Sequence, residues 1–298
     1  MARRQQSGEG RLKAAGRLTF ATIAAFQKNQ CSLMAGGLAY FLLISASPLC
    51  VVAVAFIGMI LGEEPAQQAA LSRVDSIFGA EAAALVARMI QGVDLFSGGV
   101  AASIIAILVL FYGSTRAFAA LQSALDVIWE SPWSGSIRVG VVQILRSRLL
   151  AFLMVLALGL LMLVTWTLDA FSATVMKQMG DAIPLGSRLV SSGNRIFLTL
   201  LRVACLVIIY RSLPARKISW RDVWPGALLG VVLLSFGHSL IRRYVIYSGV
   251  NSAFGAAGSV IALLLSFYYL AFVVLLGAQF AKVYGDQRTA RRTAAGDE

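Results

Sequence analysis

A chain of 298 residues that is 58% hydrophobic and only 13% charged cannot hide its apolar side chains inside one soluble core, so the bilayer is its natural solvent. Its formal charge of +12 raises the question of nucleic acid. The basic residues are dispersed over polar segments, with no aromatic-interleaved patch or recognisable binding module, which argues against an RNA or DNA partner.

Residues 1–32 form a polar N-terminal segment. Ile23 and Phe26, set among Arg17 and Lys28, predict an interfacial helix against anionic headgroups. The first apolar run begins at Leu33 and is far longer than the core of a cleavable signal, so no segment is expected to be removed. Six apolar stretches follow: Leu33–Leu61, Gly98–Thr115, Leu149–Leu168, Ile196–Tyr210, Val223–Ile241 and Ala257–Ala281. None alternates with the period of two that a membrane barrel needs. The predicted class is therefore all-α: a polytopic membrane protein with six transmembrane helices over residues 33–284, amphipathic interfacial helices, and a disordered tail over 285–298.

Several local signals refine this outline. Pro48 removes a backbone donor within the first span, and Ser45 and Ser47 are placed to satisfy the opened ladder, which predicts either a functional break or a plain kink. Between spans one and two, Leu71, Val74, Phe78, Leu85, Met89 and Val93 share a helix face, predicting an external amphipathic helix. Beyond span two, Phe118, Leu121, Leu125 and Ile128 step at helical spacing as far as Pro132, while Asp126 and Glu130 share another face that reads as solvated. Ser219 with Asp222 matches a capping box ahead of Pro225, and Gly226 with Gly230 makes a small-residue pair that lets another helix approach.

Lys and Arg set the orientation. Eighteen lie on the side that carries both termini and seven on the other, so both termini are predicted to be cytoplasmic. Arg202 is the remaining one, inside the run IFLTLLRVACLVIIY. A permanent charge at that depth costs a few kcal/mol unless a partner or a watery cavity receives it. Arg188, Arg195 and Arg202 are spaced by seven, and His238 precedes Arg242 by four on span five. Arg202, Arg195, Arg242 and His238 together predict a site for the charged group of an anionic substrate. The competing reading is a structural ion pair to Asp169 and a hydrogen-bonded core histidine.

Enzymatic chemistry finds little to work with. One histidine and three cysteines, Cys31, Cys50 and Cys205, give no metal-ligand spacing and no disulfide framework. No nucleophile elbow and no phosphate-binding glycine loop is present. No catalytic residue, metal or cofactor is expected, and the expected partners are membrane lipids and an anionic substrate.

The motifs SLMAGGLAYFLLISASPL at 32–49, ALDVIW at 124–129, LPARKISWRDVWPGALLG at 213–230, FGAAGS at 254–259 and LLGAQFAKVYG at 275–285 resemble the YihY/BrkB family of bacterial inner-membrane proteins. The resemblance covers residues 20 to 285 and implies a six-helix inner-membrane protein, with transport of a lipid or glycolipid as one suggested activity. It also brings a ribonuclease label, against which the single histidine argues. Carried onto this chain, the family pattern covers Ala39, Tyr40, Ser45, Pro48, Leu125, Trp129, Leu213, Pro214, Pro225, Gly226, Gly255, Gly258, Gly277 and Ala278, with departures at Asp126 and Gln279. Asp126 stands where the family usually has asparagine and Gln279 where it usually has glutamate, which removes a possible proton carrier. The expected function is thus a transporter or flippase of an anionic substrate, with the Pro48 bend and the Gly255–Gly258 segment as moving backbone. A non-transporting scaffold or envelope-assembly protein is the alternative, and a membrane-bound hydrolase is a weaker third.

Overall fold

The structure is a computed structural model that describes residues 16–45, 116–131, 184–216, 218–247 and 256–296, together with isolated positions between 64 and 87. Every element among the described residues is an α-helix, as the composition predicts. In chain order these are α1 (16–28), α2 (Cys31–Ser45), α3 (116–128), α4 (Pro184–Ser212), α5 (Trp220–Tyr247) and α6 (Ala256–Gly296). The spans expected at Gly98–Thr115 and Leu149–Leu168 lie outside the described residues, as do Ser47, Pro48, Asp169 and Gly255. The described positions of the expected external helix are helical, with Asp75 exposed and Val86 buried.

At 41 residues, α6 extends roughly 60 Å. Its part Val260–Ala290 is long and apolar enough to cross a bilayer, with a mean hydropathy of 2.5 over its best window. The helix continues to Gly296, whereas the sequence reading expects a tail without structure from 285. Two interactions account for the difference. Lys282 and Asp286 pair at one-turn spacing, and Arg288 is held by Asp222 of α5.

Packing is organised around α6. From α1, Phe26 turns inward and meets Phe272 edge-on at 4.8 Å between ring centroids, while Phe20 and Ile23 point outward. The interfacial face predicted for Ile23 and Phe26 is therefore divided: Phe26 packs into the bundle and Ile23 stays on the surface. From α3, Leu125, Ile128 and Trp129 are buried, and Phe118 and Leu121 pack against them. This is the apolar face the spacing predicts.

Both α1 and α3 end on a non-glycine residue with positive φ, Gln30 at 50° and Glu130 at 48°. At α3 the amides of Glu130 and Ser131 donate to the carbonyls of Val127 and Asp126, the bond pattern of a Schellman cap with Glu130 in the left-handed position. An L-residue there costs about 1 kcal/mol. The side chain of Glu130 has a partner on α6, described below, that offsets this cost.

The closest approach is between α5 and α6. A Cβ on Gly226 would collide with the Gly277 carbonyl oxygen and stand 2.6 Å from Ala281 Cβ. A Cβ on Gly277 would stand 2.5 Å from the Tyr210 hydroxyl. Tyr210 of α4 is fully buried and donates its hydroxyl to the Val274 carbonyl at 2.7 Å. Gly230, the second small residue of the sequence pair, receives Leu206 of α4. Further along, Gly237 lies against the Tyr269 ring, whose hydroxyl donates to the Leu233 carbonyl at 2.7 Å. Hence α5 runs antiparallel to both α4 and α6, and its small residues face each in turn.

Because the obstacle at Gly226 is backbone, Gly226→Leu is expected to force the helices apart and destabilise the protein by roughly 3 kcal/mol or more. Tyr210→Phe removes one hydroxyl and no volume, with an expected cost of about 1 kcal/mol. Thermal unfolding in a mild detergent checks the order. A Gly226→Leu midpoint above that of Tyr210→Phe would show that the crossing is not tight.

Candidate functional site

Arg202 is exposed on α4. Residues four and seven further on, Leu206 and Ile209, share its row of the helix and are buried. Arg202 therefore stands at the rim of the packed core, whose outermost described buried residue on α4 is its neighbour Val203. It forms no ion pair among the described residues. Arg195 lies one heptad back on the same helix, and His238 and Arg242 lie on α5. Because α4 and α5 are antiparallel with Leu206 against Gly230, these four backbone positions lie toward one end of the helix pair. Their mutual geometry rests on backbone alone, since only the Arg202 side chain falls within the described ones. At about 1.5 Å per residue, Arg202 stands roughly 6 Å beyond the Leu206–Gly230 contact, and His238, Arg195 and Arg242 stand roughly 12 to 18 Å beyond it on the same side.

Of the expected hinge residues, Ser45 is buried and its hydroxyl donates to the Phe41 carbonyl at 2.7 Å. This is a bond back to the preceding turn, within an α2 that is unbroken as far as Ser45. Gly258 lies in the first turn of α6. Cys31 is buried and Cys205 half-buried, both as free thiols.

Most of the described family-pattern residues, with Asp126 and Gln279, collect at the opposite end, around the second half of α6. Gln279, 1% exposed, accepts a hydrogen bond at 2.9 Å from the Asn29 side chain in the α1–α2 turn. One turn on, Lys282 reaches Glu130 at 2.6 Å. Asp126 accepts the Ala215 amide at 2.8 Å and so anchors the α4–α5 loop, in which Pro214 is buried. Asp222 takes Arg288 at 3.0 Å, the use its carboxylate finds beside the capping position. Its amide donates to the Ser219 carbonyl, so the helix does begin where the capping signal places it. Tyr40 lies apart from them, 57% exposed and ring to ring with Phe41, and Gly258 lies at the other end of α6.

The solvated face expected for Asp126 and Glu130 is in fact two tethers to different segments. Sequence reasoning also missed Asn29, Lys282 and Tyr210. The first two are ordinary polar residues in polar stretches, and the one local hint was the four-residue spacing of Lys282 and Asp286.

Among the described residues, Trp129 Nε1, Ser131 Oγ and Arg211 Nη1 are buried without a protein hydrogen-bond partner. Arg211 lies over the Trp220 ring at 4.1 Å, a cation–π contact that holds its charge against the start of α5. The described residues include no cluster of side chains able to hold a metal ion. The arrangement can fix helix ends and present positive charge. Among the described residues no nucleophile is paired with a base.

The Lys282 ammonium, through its hydrogen bond and its charge, holds the Glu130 carboxyl below the usual carboxylate range. A depressed carboxylate pKa adds stability above the unfolded value of about 4.3, and that stability is lost as pH falls through the lower folded value. Glu130 is largely exposed, so screening keeps the pair under about 1 kcal/mol. Glu130→Gln is expected to lose a small stability increment at pH 7 and to show a flatter stability profile below pH 5. Thermal unfolding from pH 7 to pH 3.5 checks this; an unchanged acid slope would show that Glu130 and Lys282 do not pair in solution.

Comparison with known proteins gives a consistent reading. The family model described as virulence factor BrkB matches residues 22–298. Two UPF0761 membrane proteins of Stenotrophomonas maltophilia, from strains K279a and R551-3, are each 30% identical over 145 residues. That alignment takes in 48% of this chain and 34% of the relatives, so the match spans about a third of their length. No solved structure matches. The motif order that resembled the YihY/BrkB family, the all-helical fold and the matched residues from α1 to the end of α6 agree: the chain is a membrane protein of the BrkB family.

Proposed function

We propose that this protein is a six-helix, multi-pass protein of the bacterial inner membrane that transports or flips an anionic, amphipathic substrate such as a lipid or glycolipid. The observation that carries the reading is Arg202. It is a permanent charge in an apolar segment, exposed at the rim where core packing stops, with no acid paired to it among the described residues. A guanidinium that is exposed and paired with no described acid is open to a diffusible anion. Arg195, Arg242 and His238 lie on the same side of the Leu206–Gly230 contact, about one to two turns further on, and supply further charge and a donor for a phosphate or carboxylate group.

The orientation places both termini in the cytoplasm. Asn29, Glu130, the 211–222 loop and the end of α6 meet at one end of the bundle, which agrees with the side to which the basic-residue bias assigns them. Reporter fusions at residue 298 are expected to be active with green fluorescent protein and inactive with alkaline phosphatase. The reverse pattern would overturn the orientation.

Transport is tested with purified protein in vesicles containing a fluorescent phosphatidylglycerol and an outside quencher. Wild type is expected to expose the inner-leaflet pool, and Arg202→Ala to expose at least about tenfold less while keeping the same unfolding midpoint. Mass spectrometry of lipids retained in native discs adds a second readout: wild type enriches an anionic species that Arg202→Ala does not. Equal activity and equal lipid content in the two proteins would remove Arg202 from the site. A midpoint lowered in Arg202→Ala, with no flux in either protein, would favour the scaffold.

A further inference from the structure

A cavity of about 350 Å³ opens at the end of the bundle opposite Arg202, between the start of α5 and the last turns of α6. It is lined by Ser219, Arg221, Asp222, Arg288, Thr289 and Arg292. Three guanidinium groups face one carboxylate, and that carboxylate is already engaged, since Asp222 holds Arg288 at 3.0 Å with both side chains about a quarter exposed. Arg288 is thereby fixed in place. Arg221 and Arg292 are exposed, with no described carboxylate paired to either. Asp222 is further fixed from behind, its side chain lying against Gly285 where a Cβ would come within 3.2 Å. The result is a pre-set basic recess with a surplus of positive charge, built from two helices that the Gly226–Gly277 crossing holds in register.

The rim of this recess is apolar in a particular direction. Trp220, Trp224, Leu228, Val232 and Phe236 recur every four residues along α5 and are 47% to 75% exposed. They form a continuous ridge away from the recess. Arg221 precedes Trp224 by three and Leu228 by seven, so the charge and the second and third ridge residues share a helix face. Exposed tryptophans at a helix start, with Arg211 stacked on one of them, mark the depth at which headgroups meet water. A phosphate at Arg221 and Arg292 would thus lie at headgroup level, with an acyl chain beside it along the ridge.

We infer that this recess is a binding site for a phosphate monoester, occupied by the headgroup of an anionic lipid of the phosphatidic acid type. Guanidinium groups suit this ligand because each offers paired donors to two oxygens of one phosphate. The site is independent of the transport reading. It uses none of Arg202, Arg195, Arg242 or His238, and its test needs no flux.

Binding is measured on the full chain in neutral detergent, by shift of the unfolding midpoint and by native mass spectrometry. The probes are dihexanoyl phosphatidic acid, dihexanoyl phosphatidylcholine and glycerol 3-phosphate, against wild type, Arg221→Ala/Arg292→Ala and Arg221→Lys/Arg292→Lys. Wild type is expected to bind the phosphatidic acid and not the phosphatidylcholine. The alanine pair is expected to weaken binding at least about tenfold, and the lysine pair to recover part of it, as loss and partial return of charge-assisted bonds require. The lysine pair keeps the test decisive if the alanine pair unfolds. Glycerol 3-phosphate binding as tightly as phosphatidic acid would make the ligand a soluble phosphate and overturn the lipid. Phosphatidic acid affinity equal in wild type and the alanine pair, or absent from wild type, would overturn the site.

Discussion

The close crossing of α5 and α6 at Gly226 and Gly277 is the constraint on which the rest depends. In lipid there is no hydrophobic gain from bringing two apolar helices together, so association rests on how closely backbones can approach and on what polar bonds form between them. Here the Cβ that is missing at each glycine is replaced by the opposing carbonyl, by Ala281, and by the hydroxyl end of Tyr210. Tyr210 is thus a wedge whose tip fits only because Gly277 has no side chain, and whose hydroxyl is satisfied only at this depth by the Val274 carbonyl. Three helices share one register through these few atoms. A slide of one turn between α5 and α6 would unseat Asp222 from Gly285 and Arg288 as well, so the contacts at the helix ends inherit their geometry from the crossing.

The polar half of α6 then explains why separate segments of the chain converge. At 100° per residue, Gln279, Lys282 and Arg288 project in three different directions from the helix axis. Each takes a different partner: Asn29 from the α1–α2 turn, Glu130 from the cap of α3, and Asp222 from the first turn of α5. Asp126 completes the set by bonding the α4–α5 loop. Every one of these partners sits at a helix end, where unsatisfied backbone and positive φ make the chain most costly to fix. A helix end that is held from outside needs no glycine, which accounts for glutamine and glutamate at the two left-handed positions.

The parts of this arrangement that were legible in sequence are those set by local pattern. The apolar runs that became α4, α5 and α6, the buried face of α3, the start of α5 at Ser219 and the small pair Gly226–Gly230 all follow from spacing over a few residues. Partner choice was not legible, because it is decided between residues far apart in the chain: nothing near Asp126 points to Ala215, and nothing near Gly226 points to Gly277. The same reason underlies the misread tail. By composition 285–298 resembles a disordered end, yet Arg288 carries the partner of a carboxylate on another helix, and that pairing extends α6. For Arg202 the apolar run around it set its depth and left open whether an acid answered it. Its exposure on α4, above buried Leu206 and Ile209, is information only packing supplies.

Charge in this protein follows two different designs at the two ends of α5. Near Gln279 and Asp222 several polar groups are paired between helices, and Arg221 and Arg292 add positive charge in the recess beside the exposed tryptophans. At the level of Arg202 the surrounding exposed residues of α4 are Ile196, Phe197, Leu200 and Ile208. A guanidinium among such neighbours gains little from bulk water and much from an anion with an apolar body, because one ligand can satisfy both the charge and the apolar surround. A matched, tethered end suits a fixed frame, whereas an unmatched charge beside apolar surface suits a transient occupant. On this argument the BrkB-family bundle separates the end that holds its helices in register from the end with the unmatched charge, and the two are joined along α5 by the contacts at Gly226, Gly230 and Gly237.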